Sequence, residues 1–224
     1  MTNRTLVVTG GHGILGRAVV GAALARGLNV ALIDHAAGEA PDGALEVGGV
    51  DLTDATAAGA AMAKVVAKFG GIDALLNIAG GFVWQTTDDA QPAWDRMFAL
   101  NLTTALNASR AALPHLKASA EGRIVNVGAY GALKAAAGMG AYGASKSAVH
   151  RLTEALAEEL KDTSVTVNAV LPSILDTPQN RADMPEADPA KWVQPSDLAE
   201  AMLFLASPAS RAITGALIPV TGRV

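Results

Sequence analysis

A phenol and a primary amine stand four residues apart in Gly140-Ala141-Tyr142-Gly143-Ala144-Ser145-Lys146, where a stretch of helical period begins. On a helix that spacing puts both side chains on one face. An ammonium held beside a phenol favours the phenolate and draws its pKa from about 10 toward neutrality, so Tyr142 is a candidate general acid or base and Lys146 its electrostatic partner. Such a pair alone is as ordinary as any helix surface, and its meaning comes from its company. Thr9-Gly10-Gly11-His12-Gly13-Ile14-Leu15-Gly16 follows an apolar β-type run and opens a helical one. There, bare N–H groups and the helix dipole can face a pyrophosphate. Gly10 and Gly13 permit the tight turn and close phosphate approach, and Gly16 lets the helix pack on its strand. Asp34 closes the second strand eighteen residues after Gly16. A carboxylate there accepts from adenosine ribose hydroxyls and repels a 2′-phosphate; with no arginine directly after it, NAD(H) is favoured over NADP(H). Asp51, ending the third strand, has two open readings: an acceptor for the adenine amino group, or a cap for the following turn. His12 has no second metal-type ligand near it in sequence and is expected to project from the turn without a chemical role.

Positioning these groups requires short apolar strands alternating with alanine-rich helices, the sign of βαβ units around a parallel sheet. The strands are read at Leu6–Thr9, Asn29–Asp34, Leu45–Val50, Ala74–Ile78, Gly122–Val127, Val165–Val170 and Leu217–Val220. Helices are read at Ile14–Arg26, Ala55–Phe69, about Gln91 to Leu116, Ala141–Leu160 and Ser196–Ala206, with Ser196 and Asp197 placed to cap the last. The expected fold is α/β: a single Rossmann-type domain over residues 1–224, with a doubly wound seven-stranded parallel sheet flanked by helices. Pro172 to Pro195 holds five prolines and little periodicity, so it reads as a long loop with at most a short helix, and Met184 and Pro185 are candidates to close over a ligand.

Half of the 224 residues are apolar, enough for a sizeable core, and the net charge of −4 carries no run of either sign. No nucleic-acid or membrane partner is expected; a small-molecule substrate is. With no cysteine there is no disulfide framework, thiolate nucleophile or Cys-type zinc site. Met1 to Val8 is too short and polar for a secretory signal, and a cytoplasmic location is expected.

Together with Asn77-Ile78-Ala79-Gly80, Asn101 and the Pro172-to-Thr177 segment, these features resemble the short-chain dehydrogenase/reductase family over essentially the whole chain. The resemblance implies that Tyr142 is the acid/base, that Lys146 tunes it and binds the nicotinamide ribose, and that Asn101 anchors a proton-relay water. It places Asn77, Ala79 and Gly80 along the cofactor floor and Ile174 and Thr177 at the carboxamide, with Ile14, Leu15, Leu52 and Pro172 in the same cofactor site. It also implies strand order 3-2-1-4-5-6-7 and pairing of the two long helices into homodimers or homotetramers.

Three departures matter. The glycines at positions 10, 13 and 16 depart from the common T-G-x-x-x-G-x-G spacing, and Ser173 stands where the family usually has glycine. The position of the family's catalytic serine, thirteen residues before the tyrosine, is Ala129. Loss of such a donor typically costs about 10²–10³ in rate. The dihydropteridine reductase branch, which uses NADH, has alanine there. Gly10 to Gly16, Ala79-Gly80-Gly81, Ala148-Val149-His150 and Leu175 to Asp188 are similar to that branch. Three functions follow as expectations: NADH-dependent reduction of a pteridine-like or quinonoid heterocycle; oxidoreduction of a carbonyl/alcohol pair such as a 3-oxoacyl thioester, with Tyr142 alone or Tyr130 replacing the serine; or nucleotide binding without catalysis. Trp84 and Trp192 either stack on a flat ligand or pack their loops.

Overall fold

The computed structural model describes residues 4–89 and 93–224. Strands β1 (Thr5–Thr9), β2 (Asn29–Ile33), β3 (Ala44–Val47), β4 (Ala74–Asn77), β5 (Arg123–Val127), β6 (Thr166–Pro172) and β7 (Leu217–Val220) form one sheet in the order β3-β2-β1-β4-β5-β6-β7. The order is the one the resemblance implied, and every pairing is parallel, as the alternation of strands and helices predicts. Side chains alternate across this sheet. Val7, Ile33, Leu75, Ile124 and Val167 face one core with Met62, Leu116 and Leu156. Leu6, Val8, Leu32, Leu76, Val125 and Val170 face the other with Val19, Leu198 and Met202. Both faces are covered, so the strands read as unbroken apolar runs.

Helices α1 (Ile14–Ala25) and α7 (Pro195–Leu205) pack together over one face, and α2 (Ala55–Phe69) packs with α4 (Thr104–Ala118) over the other. Asp54 caps α2 by accepting from the Thr56 N–H. The long helix expected from about Gln91 is two helices, α3 (Trp94–Phe98) and α4, joined by a π-turn over Ala99–Thr103; Gln91 lies outside the described residues. Such single wide turns occur mostly at functional sites, and here Asn101 sits at its centre, turned inward and 1 % exposed. Helix α5 (Gly140–Glu159) carries Tyr142 and Lys146 in its first two turns.

The proline-rich segment is ordered by local structure: α6 (Pro178–Asp183), a 3₁₀ turn at Pro189–Lys191 and a bridge between Leu175 and Val193. Arg181 grips both oxygens of Asp176 at 2.6 and 2.7 Å, and Gln194 donates to the same carboxylate. Met184 is half-buried and Pro185 exposed. The expected Ser196 cap is absent: Gln194 is the N-cap residue of α7, Pro195 starts the helix because its missing N–H goes unneeded there, and Asp197 lies in the first turn. Among the described residues no helix is long and apolar enough to cross a membrane.

Leu75 and Leu76 are fully buried on opposite faces of β4. Each Leu→Ala substitution should lower unfolding stability by about 2–5 kcal/mol in urea denaturation. A loss below about 1 kcal/mol at either position would contradict a two-faced core.

Candidate active site

Strands β1 and β4 are adjacent in the sheet while the chain leaves them toward opposite faces, and a crevice opens at their carboxyl ends. A cleft of about 690 Å³ lies there. Gly10, Gly13, Ile14, Leu15 and Gly16 form one wall, and Ala79 and Gly80 the floor. Gly10 takes φ +66°, and its carbonyl accepts from the Gly13 N–H at 3.1 Å. A Cβ on Gly16 would collide with that same carbonyl, which accounts for a glycine inside the first helical turn. Gly13 offers no side chain to cap α1, and no acidic residue stands in its first turn. The first N–H groups of α1 and its positive dipole end therefore face the cleft, a fit for a pyrophosphate.

Asp34 and Asp51 line the other end with Leu52. Asp34 is fixed by two backbone donors: Oδ2 accepts from the His12 N–H at 2.9 Å and Oδ1 from the Ala36 N–H at 3.0 Å. Asp51 Oδ1 accepts from the N–H and hydroxyl of Thr53, which holds its carboxyl below the ordinary range, so it caps the following turn while remaining on the cleft wall. His12 departs from the expectation of an idle projecting ring. Its Nε2 lies 2.9 Å from Glu46 Oε1, and the ring packs where a Cβ on Gly38 would sit, joining the glycine turn to the segment after β2.

The remaining anticipated residues divide. Thr177 reaches the cleft wall beside Leu175, and its Oγ1 caps α6 by accepting from the Asn180 N–H. Pro172 is the buried end of β6, and the Ile174 carbonyl accepts from the Val193 N–H, bracing the segment. Asn77 sits beneath the floor rather than along it. Its Nδ2 donates to Ser109 Oγ and to Asn126 Oδ1, and Asn126 passes the network on to Thr153 Oγ1. This buried chain ties β4 and β5 to the helices behind them.

Lys146 is buried, and its Nζ donates to the Val127 carbonyl at 2.7 Å. A Cβ on Gly80 would lie 3.5 Å from that Nζ and 2.6 Å from Asn101 Oδ1, which locates both groups at the floor. The Asn101 amide is taken up by the loop and by α5: Oδ1 accepts from the Gly81 N–H, and Nδ2 donates to the Gly81 carbonyl and to Ser145 Oγ. Tyr142 meets Phe82 edge to face, with ring centroids 4.9 Å apart. The expected depression of the phenol does not hold in the free chain. Burial pushes Tyr142 up to about 12 and Lys146 down to about 8, since desolvation penalises each charged form.

Several contributors escaped the sequence reading. Thr9 Oγ1 accepts from the N–H groups of Ile78 and Ala79 and so shapes the floor. Asn107 on α4 donates to the carbonyls of Leu52 and Thr53, fixing the cleft wall at that end. Phe82 had one available signal, its place directly after Gly80-Gly81 at a strand end. Trp192 is buried and packs its loop, whereas Trp84 is 61 % exposed and lies against Gly138.

A family model described as short chain dehydrogenase matches residues 4–188. The chain is 33 % identical to 2-(S)-hydroxypropyl-CoM dehydrogenase 3 of Xanthobacter autotrophicus, over 99 % of this chain and 96 % of that one. An inactive 2-(S)-hydroxypropyl-CoM dehydrogenase 2 of the same organism is 34 % identical over 90 % and 96 % of the two chains. The crystal structure of 3-ketoacyl-(acyl-carrier-protein) reductase from Brucella melitensis complexed with NADH superposes with a TM-score of 0.86 at 30 % identity, covering 98 % of each chain. The fold and site define an NAD(P)-dependent oxidoreductase. The chain belongs to the short-chain dehydrogenase/reductase family.

The Lys146 value has a stability consequence. Because it is lower folded, about 8, than the ordinary 10.5, the unfolded chain binds the proton more tightly, and stability rises as pH climbs between those values. The rise attributable to this group is on the order of 3 kcal/mol. Tyr142 acts oppositely at higher pH, where its raised value makes stability fall. Urea unfolding of the ligand-free protein from pH 8 to 10 should show a rise in wild type that Lys146→Met lacks; parallel curves would contradict a buried, desolvated ammonium.

Proposed function

We propose that this chain, as one dinucleotide-binding domain over residues 1–224, uses NADH to reduce a flat, electron-poor ring of the pteridine or quinonoid kind, with Tyr142 as proton donor. The observation that carries the reading is Ala129, extended and 4 % exposed at the end of β5, with no hydroxyl to steady a developing alkoxide. A conjugated ring that takes hydride at one atom and a proton on nitrogen or oxygen develops no localised alkoxide and tolerates that loss. Phe82 against Tyr142 and Trp84 beside the start of α5 are both more than half exposed and offer π faces to such a ring.

When bound, the nicotinamide supplies the hydride. The chain's own residues do the rest. The Gly10–Gly16 turn and the start of α1 would hold the pyrophosphate, and Asp34 the adenosine ribose, where a 2′-phosphate would meet its charge; this supports NADH over NADPH. Lys146, an ammonium at neutral pH, would hold the nicotinamide ribose from the floor. Tyr142 is protonated through the physiological range, which suits donation to a reduced product. Asn101, its amide committed to Gly81 and Ser145, fixes the floor and would anchor the proton-relay water through its backbone carbonyl. A homodimer or homotetramer paired through α4 and α5, located in the cytoplasm, completes this reading.

The named relatives favour a second reading, oxidoreduction of a carbonyl/alcohol pair. Tyr130, 44 % exposed on the turn after Ala129, is then the neighbouring hydroxyl that replaces the serine. The relative named as inactive keeps a third in view, binding without turnover.

NADH oxidation with quinonoid dihydropterin should be observed, and Tyr142→Phe should reduce it by at least about 10². No turnover at saturating ring substrate, with turnover of a 3-oxoacyl thioester, would replace the first reading by the second; none with either, despite nucleotide binding, would favour the third. For the second reading, Ala129→Ser should raise ketone reduction by about 10². NADH should bind more tightly than NADPH, and Asp34→Ser should narrow the gap; equal affinities in wild type would remove Asp34 from that role.

A further inference from the structure

Tyr142, Lys146 and His150 recur every four residues along α5 and form one stripe. His150 is 2 % exposed. Its Nε2 lies 3.3 Å from the Ala129 backbone nitrogen, whose N–H points at it as donor. One turn earlier, Lys146 Nζ donates to the Val127 carbonyl at 2.7 Å. The same three-residue segment, Val127 to Ala129, is thus held at both ends by neighbouring side chains of one helix. Gly128 between them leaves no room for a side chain unless the imidazole or Leu171 moves: a Cβ there would lie 2.5 Å from His150 Nε2 and 2.5 Å from Leu171 Cδ2. Val127 lines the cleft, and Ala129 takes the place where the family resemblance puts a hydroxyl.

We propose that His150 is a positioning residue that fixes the Val127–Ala129 segment, and through it both the carbonyl on which Lys146 rests and the substrate-side backbone at Ala129. It touches neither cofactor nor reacting atoms; it sets where Lys146 can stand. The inference rests on the reading of Lys146 and Tyr142 as the working pair, and its geometry does not depend on which substrate is used. The role requires a neutral imidazole with the proton on Nδ1, because Nε2 is the acceptor. The surroundings enforce this. Burial comes first, then the cations Arg151 and Lys146, and together they hold His150 down to about 4. From the sheet side, Gly128 directly after β5 and Leu171 of β6 are the uncharged neighbours.

The test compares His150→Gln, which keeps an acceptor near Nε2, with His150→Leu, which keeps volume and loses the acceptor. In amide exchange of the full chain at neutral pH, Ala129 should stay protected in wild type and in the Gln variant. It should exchange at least about tenfold faster in the Leu variant relative to buried amides of β1. Lowering pH through about 4 should release Ala129 relative to the same amides in wild type but not in the Gln variant. With quinonoid dihydropterin and NADH as probes, kcat should fall at least about tenfold in the Leu variant, with KM for NADH changed less, and recover in the Gln variant. Unchanged Ala129 exchange in the Leu variant, or equal loss in both variants, overturns the proposal. If wild type does not turn over the probe, the exchange comparison alone decides it, so failure of the substrate reading is separable.

Discussion

A buried ammonium needs a partner, and in this molecule Lys146 finds a backbone carbonyl at the end of the fifth strand. Withdrawing a charge from water is tolerated only with hydrogen bonds in exchange. The Val127 carbonyl supplies one at 2.7 Å, and desolvation still lowers the lysine to about 8. That constraint propagates. The strand end must stay in place, so α5 must lie against it; Gly128 has no room for a side chain between His150 and Leu171, and a side chain on Gly80 would strike Asn101 Oδ1 beside Nζ. Tyr142, one turn earlier on the same face, inherits its position from this anchoring.

The sheet supplies the rigid frame. Seven parallel strands covered on both faces leave their carboxyl ends free only where neighbouring connections diverge, and the cleft lies there. Polar side chains inside this frame hold the walls rather than the ligand. Thr9 shapes the floor, Asn107 fixes the wall after Leu52, Asn101 pins Gly81, and the Asn77–Asn126–Thr153 chain braces the strands beneath. Such groups are costly to bury unless satisfied; Asn77 Oδ1 is left without a partner, while the hydrogen bonds the others make allow little rearrangement.

Much of this was legible in the residues. Every strand and most helices could be placed because each buried run is short, apolar and bounded by turn chemistry, and the glycine turn, Asp34, Tyr142 and Lys146 announce themselves by type and spacing. What was missed depends on contacts distant in sequence. The helix expected from Gln91 onward carries continuous helical composition, and its π-turn arises from Asn101 reaching Gly81 and Ser145. His12 meets Glu46 because β3, which carries it, lies beside β2 in the sheet. The direction of the phenol's shift is not legible because helical spacing reveals that a lysine is near, but not that burial governs the phenol or that the lysine's proton is directed at Val127.

The most direct measurement is a spectrophotometric titration of Tyr142, taken as wild type minus Tyr142→Phe, with and without NAD⁺. The chain has only one other tyrosine, so the difference is readable. In the free protein the phenol should ionise near 12. If the proposed site is right, bound oxidised cofactor would bring a cationic ring beside Tyr142 and should lower that value by at least one unit, about 1.4 kcal/mol. An identical titration in both states would place the phenol away from the nicotinamide and contradict its role as proton donor.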